Sequence, residues 1–119
     1  MQYLLLIYGN EKQFDKMSPA EQNKIHQEYM ELSKSIAASG HMRGGNELDR
    51  ISKAKTVRVR DKKRAVTDGP FAETKEQLGG YYLVEAKDVD EALALAARIP
   101  SVRWGSIEVR PIIPHEMPS

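Results

Sequence analysis

Gln2-Tyr3-Leu4-Leu5-Leu6-Ile7-Tyr8 is an unbroken apolar run, halted by Gly9-Asn10. A half-solvated strand alternates apolar and polar residues; a run without alternation predicts a strand covered on both faces, in the interior of a sheet. The rest of the chain must therefore supply strands on either side, a helical layer over one face and a cover for the other. Glu11 to Met17 reads as a polar connection. Ser18-Pro19-Ala20-Glu21 then starts a long helix, with Ser as N-cap, Pro at the first helical position and Glu closing a capping box. Ile25, Tyr29, Leu32 and Ile36 line one apolar stripe of that helix, and Gly40 ends it.

Further along, His41 to Leu48 is interrupted by Gly44-Gly45 and reads as a short irregular strand. Lys55 to Arg60 alternates with period two, and Lys63 to Thr67 does so weakly, with Asp61-Lys62 as the turn of a hairpin. Tyr81 to Ala86 is an aromatic and β-branched strand. Asp88 caps a second helix whose apolar face is read as Val89, Ala92, Leu93, Ala96 and Ile99, ended by Pro100. Trp104 to Pro111 reads as a last strand, followed by a fraying Pro-rich tail. Two strand-helix-strand crossovers sharing one antiparallel sheet give an α+β, ferredoxin-like sandwich with two helices on one face. One domain over residues 1–113 is expected, with a tail at 114–119. The uncovered sheet face leads to a symmetric homodimer packed sheet to sheet.

With 119 residues the chain is long enough for one real core. Eighteen Lys and Arg against 17 Asp and Glu give a net charge of +1, which offers no electrostatic case for nucleic acid or an anionic membrane. No cysteine is present, which excludes disulfides, thiol nucleophiles and cysteine metal sites. The first apolar run is too short to cross a bilayer or serve as a signal sequence, and a cytoplasmic location is expected. No phosphate-cradling glycine loop or nucleophile elbow occurs, and the three histidines lack metal-ligand spacing. No metal and no cofactor are expected.

Thr67 to Tyr82, TDGPFAETKEQLGGYY, exceeds what core-building requires. Asp68-Gly69-Pro70 is a sharp turn, with Phe71 the apolar anchor after it. Ala72 to Leu78 is helix-compatible, a turn or two over the sheet, and Gly79-Gly80 ends it and permits a close backbone approach. Asp68 reads either as a turn-forming residue or as a carboxylate near a pocket floored by Gly79 and Gly80. His41, in a loop beside Arg43, is the stronger candidate for proton transfer, while His26 lies next to the apolar stripe of the first helix. Glu108 and Arg110 share one face of the last strand, as an intersubunit salt bridge or as polar points of a site. One of Tyr81 and Tyr82 packs and the other lines a cleft; Trp104 is an interface or cleft-edge aromatic. The candidate catalytic set is Asp68, His41 and Glu108, with Arg110, Lys75, Glu73, Tyr81, Gly79 and Gly80 as binding residues.

DGPFAETKEQLGGYYLVEA, with SGHMRGGNEL before it and GSIEVRPI after it, resembles the DGPF subgroup of the YCII-related family across nearly the whole chain. The resemblance implies a bacterial protein forming a dimeric α+β barrel of ferredoxin-like subunits. It implies less about chemistry: the superfamily includes monooxygenases and lactone isomerases, and one branch is similar to a dechlorinating enzyme. DGPF members are often encoded beside sigma factors, which implies a transcription-regulatory protein partner. The YCII-proper branch carries a His on the first helix and an Asp before the last strand; here those positions align with Tyr29 and Ile99, and a three-residue shift brings in His26 instead. Two functions follow: a small-molecule site performing cofactor-free acid/base chemistry, or a non-catalytic regulatory dimer.

Overall fold

The computed structural model describes residues 1–115. In chain order the elements are β1 Gln2–Gly9, α1 Glu11–Asp15, α2 Pro19–Ala38, β2 Met42–Glu47, β3 Lys55–Arg60, β4 Lys63–Asp68, β5 Gln77–Glu85, α3 Val89–Ala96 and β6 Ser106–Pro111. Short 3-10 turns occupy Ile51–Lys53 and Pro100–Arg103. The main sheet has the order β2-β5-β1-β6 with every pairing antiparallel. Each crossover, β1-α2-β2 and β5-α3-β6, spans one intervening strand, an arrangement consistent with a ferredoxin-like α+β fold. β1 is central, as its unbroken apolar run requires.

The pleat divides β1 between two faces. Tyr3 and Leu5 point into the helical layer and are buried, Leu5 completely. Leu4 and Leu6 point to the other face, which no helix among the described residues covers, and remain half-buried. The core joins Tyr3, Leu5, Tyr82 and Val84 of the sheet to Leu32 and Ile36 of α2 and to Ala92, Leu95, Ala96 and Ile99 around α3. Ser18 caps α2 through a bond from the Glu21 amide, and Gly40 adopts φ +81°, the left-handed conformation expected after a helix.

Several expectations are corrected. Glu11–Asp15 is a helical turn, because Asn10 caps it by accepting from the Lys12 and Gln13 amides. Residues 72–76 form bends without a helix, and Phe71, 79% exposed, anchors nothing. Gly79 and Gly80 lie inside β5, which begins at Gln77, and Gly80 is the close approach: a Cβ there would meet the Asn46 carbonyl oxygen of β2 at 3.0 Å. Around α3, Val89 and Leu93 face outward and Leu95 packs in; Ala97 caps the helix, so Pro100 opens the following 3-10 turn. Trp104 precedes β6, and the strand's pairing runs past Pro111, with the Ile112 amide donating to the Gln2 carbonyl. Residues 116–119 of the expected tail lie outside the described residues. Among the described residues, no helix is long and apolar enough to cross a membrane.

The hairpin β3–β4 forms a separate two-stranded sheet. Asp61 and Lys62 both have positive φ, the primed turn that matches strand twist, adopted here without glycine. Its base is closed by Gly69 N–H to the Ala54 carbonyl, Thr56 Oγ1 to the Gly69 carbonyl, and Lys55 Nζ to Asp68 Oδ1 at 2.6 Å.

Candidate functional site

A half-open cleft of about 770 Å³ lies between α2 and the helix-facing side of the sheet. Its floor is Ile7 of β1 with Gly80 and Tyr82 of β5, and α2 contributes Ile25, His26, Tyr29, Met30 and Ser33 as one wall. The helical stripe predicted for core packing therefore does double work. Ile25, Leu32 and Ile36 are buried, while the residues one step round the helix border open space. α1 closes one end with Glu11 and Phe14, and Trp104 and Ser101 close another. Gly80 also belongs to this construction, since a side chain there would collide with β2 and alter the floor.

Most polar atoms of the cleft already have partners. The Tyr82 hydroxyl bonds Ser33 Oγ at 2.8 Å, and the Tyr29 hydroxyl bonds Ser101 Oγ. Burial pushes the Tyr29 phenol up from 10.0, against the opposing effect of the Ser101 bond. Arg50 makes a two-pronged bond to Asp15 of α1, 2.8 and 2.6 Å, and Glu11 accepts from the Ile51 amide. The Asp15 bond is the main reason the Arg50 guanidinium is held even more firmly protonated than usual. Gln77 ties α1 to β5 by accepting from the Glu11 amide. This network rigidifies the closed end of the cleft.

His26 differs. Its ring lies against Phe14, with centroids 6.1 Å apart, and neither ring nitrogen bonds to any described residue. His41 is the opposite case: Nδ1 meets Ser39 Oγ at 2.7 Å and Nε2 meets Glu91 Oε1 at 3.1 Å, at a different place in the fold.

Of the candidate catalytic and binding residues, Tyr81, Gly79 and Gly80 border the cleft, as do His26, Tyr82 and Trp104, which the sequence also singled out. His41, Asp68, Glu108, Arg110, Glu73 and Lys75 do not. Asp68 sits at the hairpin base paired with Lys55; Glu108 and Arg110 are exposed on the open sheet face; Glu73 and Lys75 are exposed in the bends before β5. One chain does not bring Asp68, His41 and Glu108 to a common cleft. Of the two tyrosines, Tyr82 packs while its hydroxyl reaches the cleft, and Tyr81 donates to Asn46 Oδ1 at 2.9 Å. Sequence reading missed Glu11, Phe14, Ser33, Arg50 and Ser101. The signal for the first two was Asn10, a strong N-cap type just before a short segment ending in an aromatic; Ser33 is one residue past Leu32 of the apolar stripe. Arg50 and Ser101 carried no local signal, because only tertiary folding delivers them.

Comparison with known proteins adds two findings. The description of the YCII-related domain matches residues 1–116. An uncharacterized protein of Rhizobium meliloti (strain 1021) is 34% identical over 124 residues, covering all of both chains.

Proposed function

The chain belongs to the YCII-related family, and from that premise we propose that its cleft takes up a small organic molecule with an apolar body and performs cofactor-free proton transfer on it. The observation that carries this reading is His26: a solvent-exposed histidine on the rim of the cleft, with both nitrogens unclaimed by described residues, beside a wall of Ile25, Phe14 and Met30. Imidazole is the side chain best suited to exchanging protons near neutral pH, and an apolar pocket with a few polar groups is the usual form of a small-ligand site. The Tyr29 and Tyr82 hydroxyls orient the ligand, and His26 acts as acid and base. The Asp68-Gly69-Pro70-Phe71 turn supports placing the chain in the DGPF subgroup.

The test is a thermal-shift screen with aromatic acids, lactones and chlorinated phenols. A hit at about 100 times its Kd stabilises by about 2.7 kcal/mol. Met30→Trp, which fills the cleft from an exposed position, abolishes the shift; His26→Gln retains binding and loses turnover of the hit, followed by proton NMR. Binding that survives Met30→Trp rules out the cleft as the site.

We infer also that the open sheet face is covered by a second copy, which would form the dimeric barrel. Leu4 and Leu6 lie beside Arg110 and Glu108 in register, and neither charge is paired among the described residues. A two-fold axis brings such a patch against itself and lets Glu108 of one copy meet Arg110 of the other. Light scattering should give the mass of a dimer, reduced to a monomer in Leu6→Arg; a monomeric wild type overturns the assignment.

A further inference from the structure

Residues Lys53 to Arg64 contain seven cations and one carboxylate, a net +6, in a chain whose total is +1, which leaves −5 for everything else. Most of that positive charge rides on the β3–β4 hairpin. Only Lys55 is neutralised, by Asp68; Arg58, Arg60, Lys62, Lys63 and Arg64 have no carboxylate at ion-pair distance among the described residues. Register sets Arg60 directly opposite Lys63, a like-charge pair that weakens a hairpin.

The same element carries an apolar stripe. Val57 is opposite Val66, and Val59 lies on the same face two residues along; they are 60%, 49% and 59% exposed. An isolated two-stranded hairpin is marginal in water. This one extends from the body as an arm: the radius of gyration is 16.6 Å and the extents are 48 × 47 × 22 Å, where a compact chain of this length has a radius of about 13–14 Å. The hydrogen bonds among Ala54, Thr56 and Gly69 close the base of the hairpin on itself, and among the described residues the valine stripe is left exposed.

We propose that the hairpin is an exchange arm that docks on a second copy of this chain, valines inward and cations against the acidic body. The charge division selects this occupant. The hairpin itself, Lys55 to Asp68, carries six cations and two carboxylates, a net +4, and the remainder carries −3; a two-fold exchange neutralises both arms at once, whereas a polyanion attracted to the arm is repelled by the body. The partner's identity rests on the two-copy assembly proposed above; the contact is separate from the sheet face.

The absence of cysteine makes the test clean. Val59→Cys, carrying a benzophenone photo-crosslinker, is mixed with nitrogen-15-labelled wild type and irradiated. The expected result is cross-linked peptides pairing light arm with heavy body, diminished at high salt. In parallel, Arg58→Glu/Arg60→Glu/Lys63→Glu, all exposed positions, weakens association on the order of tenfold at low ionic strength while circular dichroism stays native. Cross-links confined to single chains, or association unchanged by the reversal, overturn the proposal. Retention on heparin by a monomeric wild type also overturns it, in favour of a polyanion arm. The two contacts are told apart by Leu6→Arg: arm cross-links between chains that persist in this variant sustain the arm and sink the sheet-face contact. A dimer indifferent to arm reversal but broken by Leu6→Arg does the reverse.

Discussion

Val84 and Val57 are the same residue on antiparallel strands, yet the first is wholly buried and the second 60% exposed. Val84 belongs to β5, which lies between β1 and β2 beneath the helical layer; Val57 belongs to a hairpin paired only with itself. The body is specified by long-range burial, each strand's inward residues meeting α2 or α3. The arm is specified locally, by its turn and its base. Side-chain type alone does not separate the two valines; what covers each strand does.

The largest expected effect breaks or confirms that contrast directly. Truncating buried Val84 to Ala leaves a void and should cost about 2–3 kcal/mol of unfolding free energy in urea titration. Val57→Ala should change it by no more than about 0.5 kcal/mol at concentrations where the chain is monomeric. Equal costs would mean that the arm packs on its own body. A Val57→Ala effect that grows with protein concentration is the signature of an arm covered by a second copy, since association and folding are then linked.

The same contrast explains how far the residues could be read. β1, α2 and their caps were legible because periodicity and capping are local signals: the unbroken run of Gln2–Tyr8, Ser18 before Pro19, Gly40 after the stripe. The short helix α1 was hidden because five residues carry no periodicity, only the Asn10 cap. The face of α3 was misread because its helix is alanine-rich: with Ala92, Ala94, Ala96 and Ala97 around it, a one-residue rotation trades Leu93 for Leu95 with little change in pattern. The site suffered most. Motif density drew attention to Thr67–Tyr82, but the charges there are spent on the hairpin base and on exposed bends; Glu76, for instance, accepts from Ser106 Oγ at 2.8 Å. The cleft draws only on the C-terminal end of that motif, Gln77 to Tyr82, together with Ser33, Ser101 and His26, which converge with it only in three dimensions. Glycine was the informative residue of the motif, since Gly80 sits where β2 comes too close for a side chain.

The smallest expected effect tests whether the cleft wall behaves as body or as surface. Burial holds the Tyr29 phenol above its ordinary 10.0, so the folded chain keeps that proton after the unfolded chain has begun to lose it. Below the ordinary value the two states bind the proton equally, and Tyr29 adds no pH dependence. Above it the unfolded state binds fewer protons, and stability declines as pH rises until the folded phenol also ionises. Tyr29→Phe removes this contribution. At neutral pH the variant should lose about 0.5–1.5 kcal/mol for the bond to Ser101, and the gap to wild type should then narrow as pH is raised past about 10. Urea titrations of both proteins across that range measure it, with the other tyrosines and the lysines cancelling in the difference. Parallel curves would mean that water reaches the Tyr29 hydroxyl as freely as it reaches the arm, and that this wall of the cleft is open surface; converging curves place it with Val84 on the shielded side of the molecule.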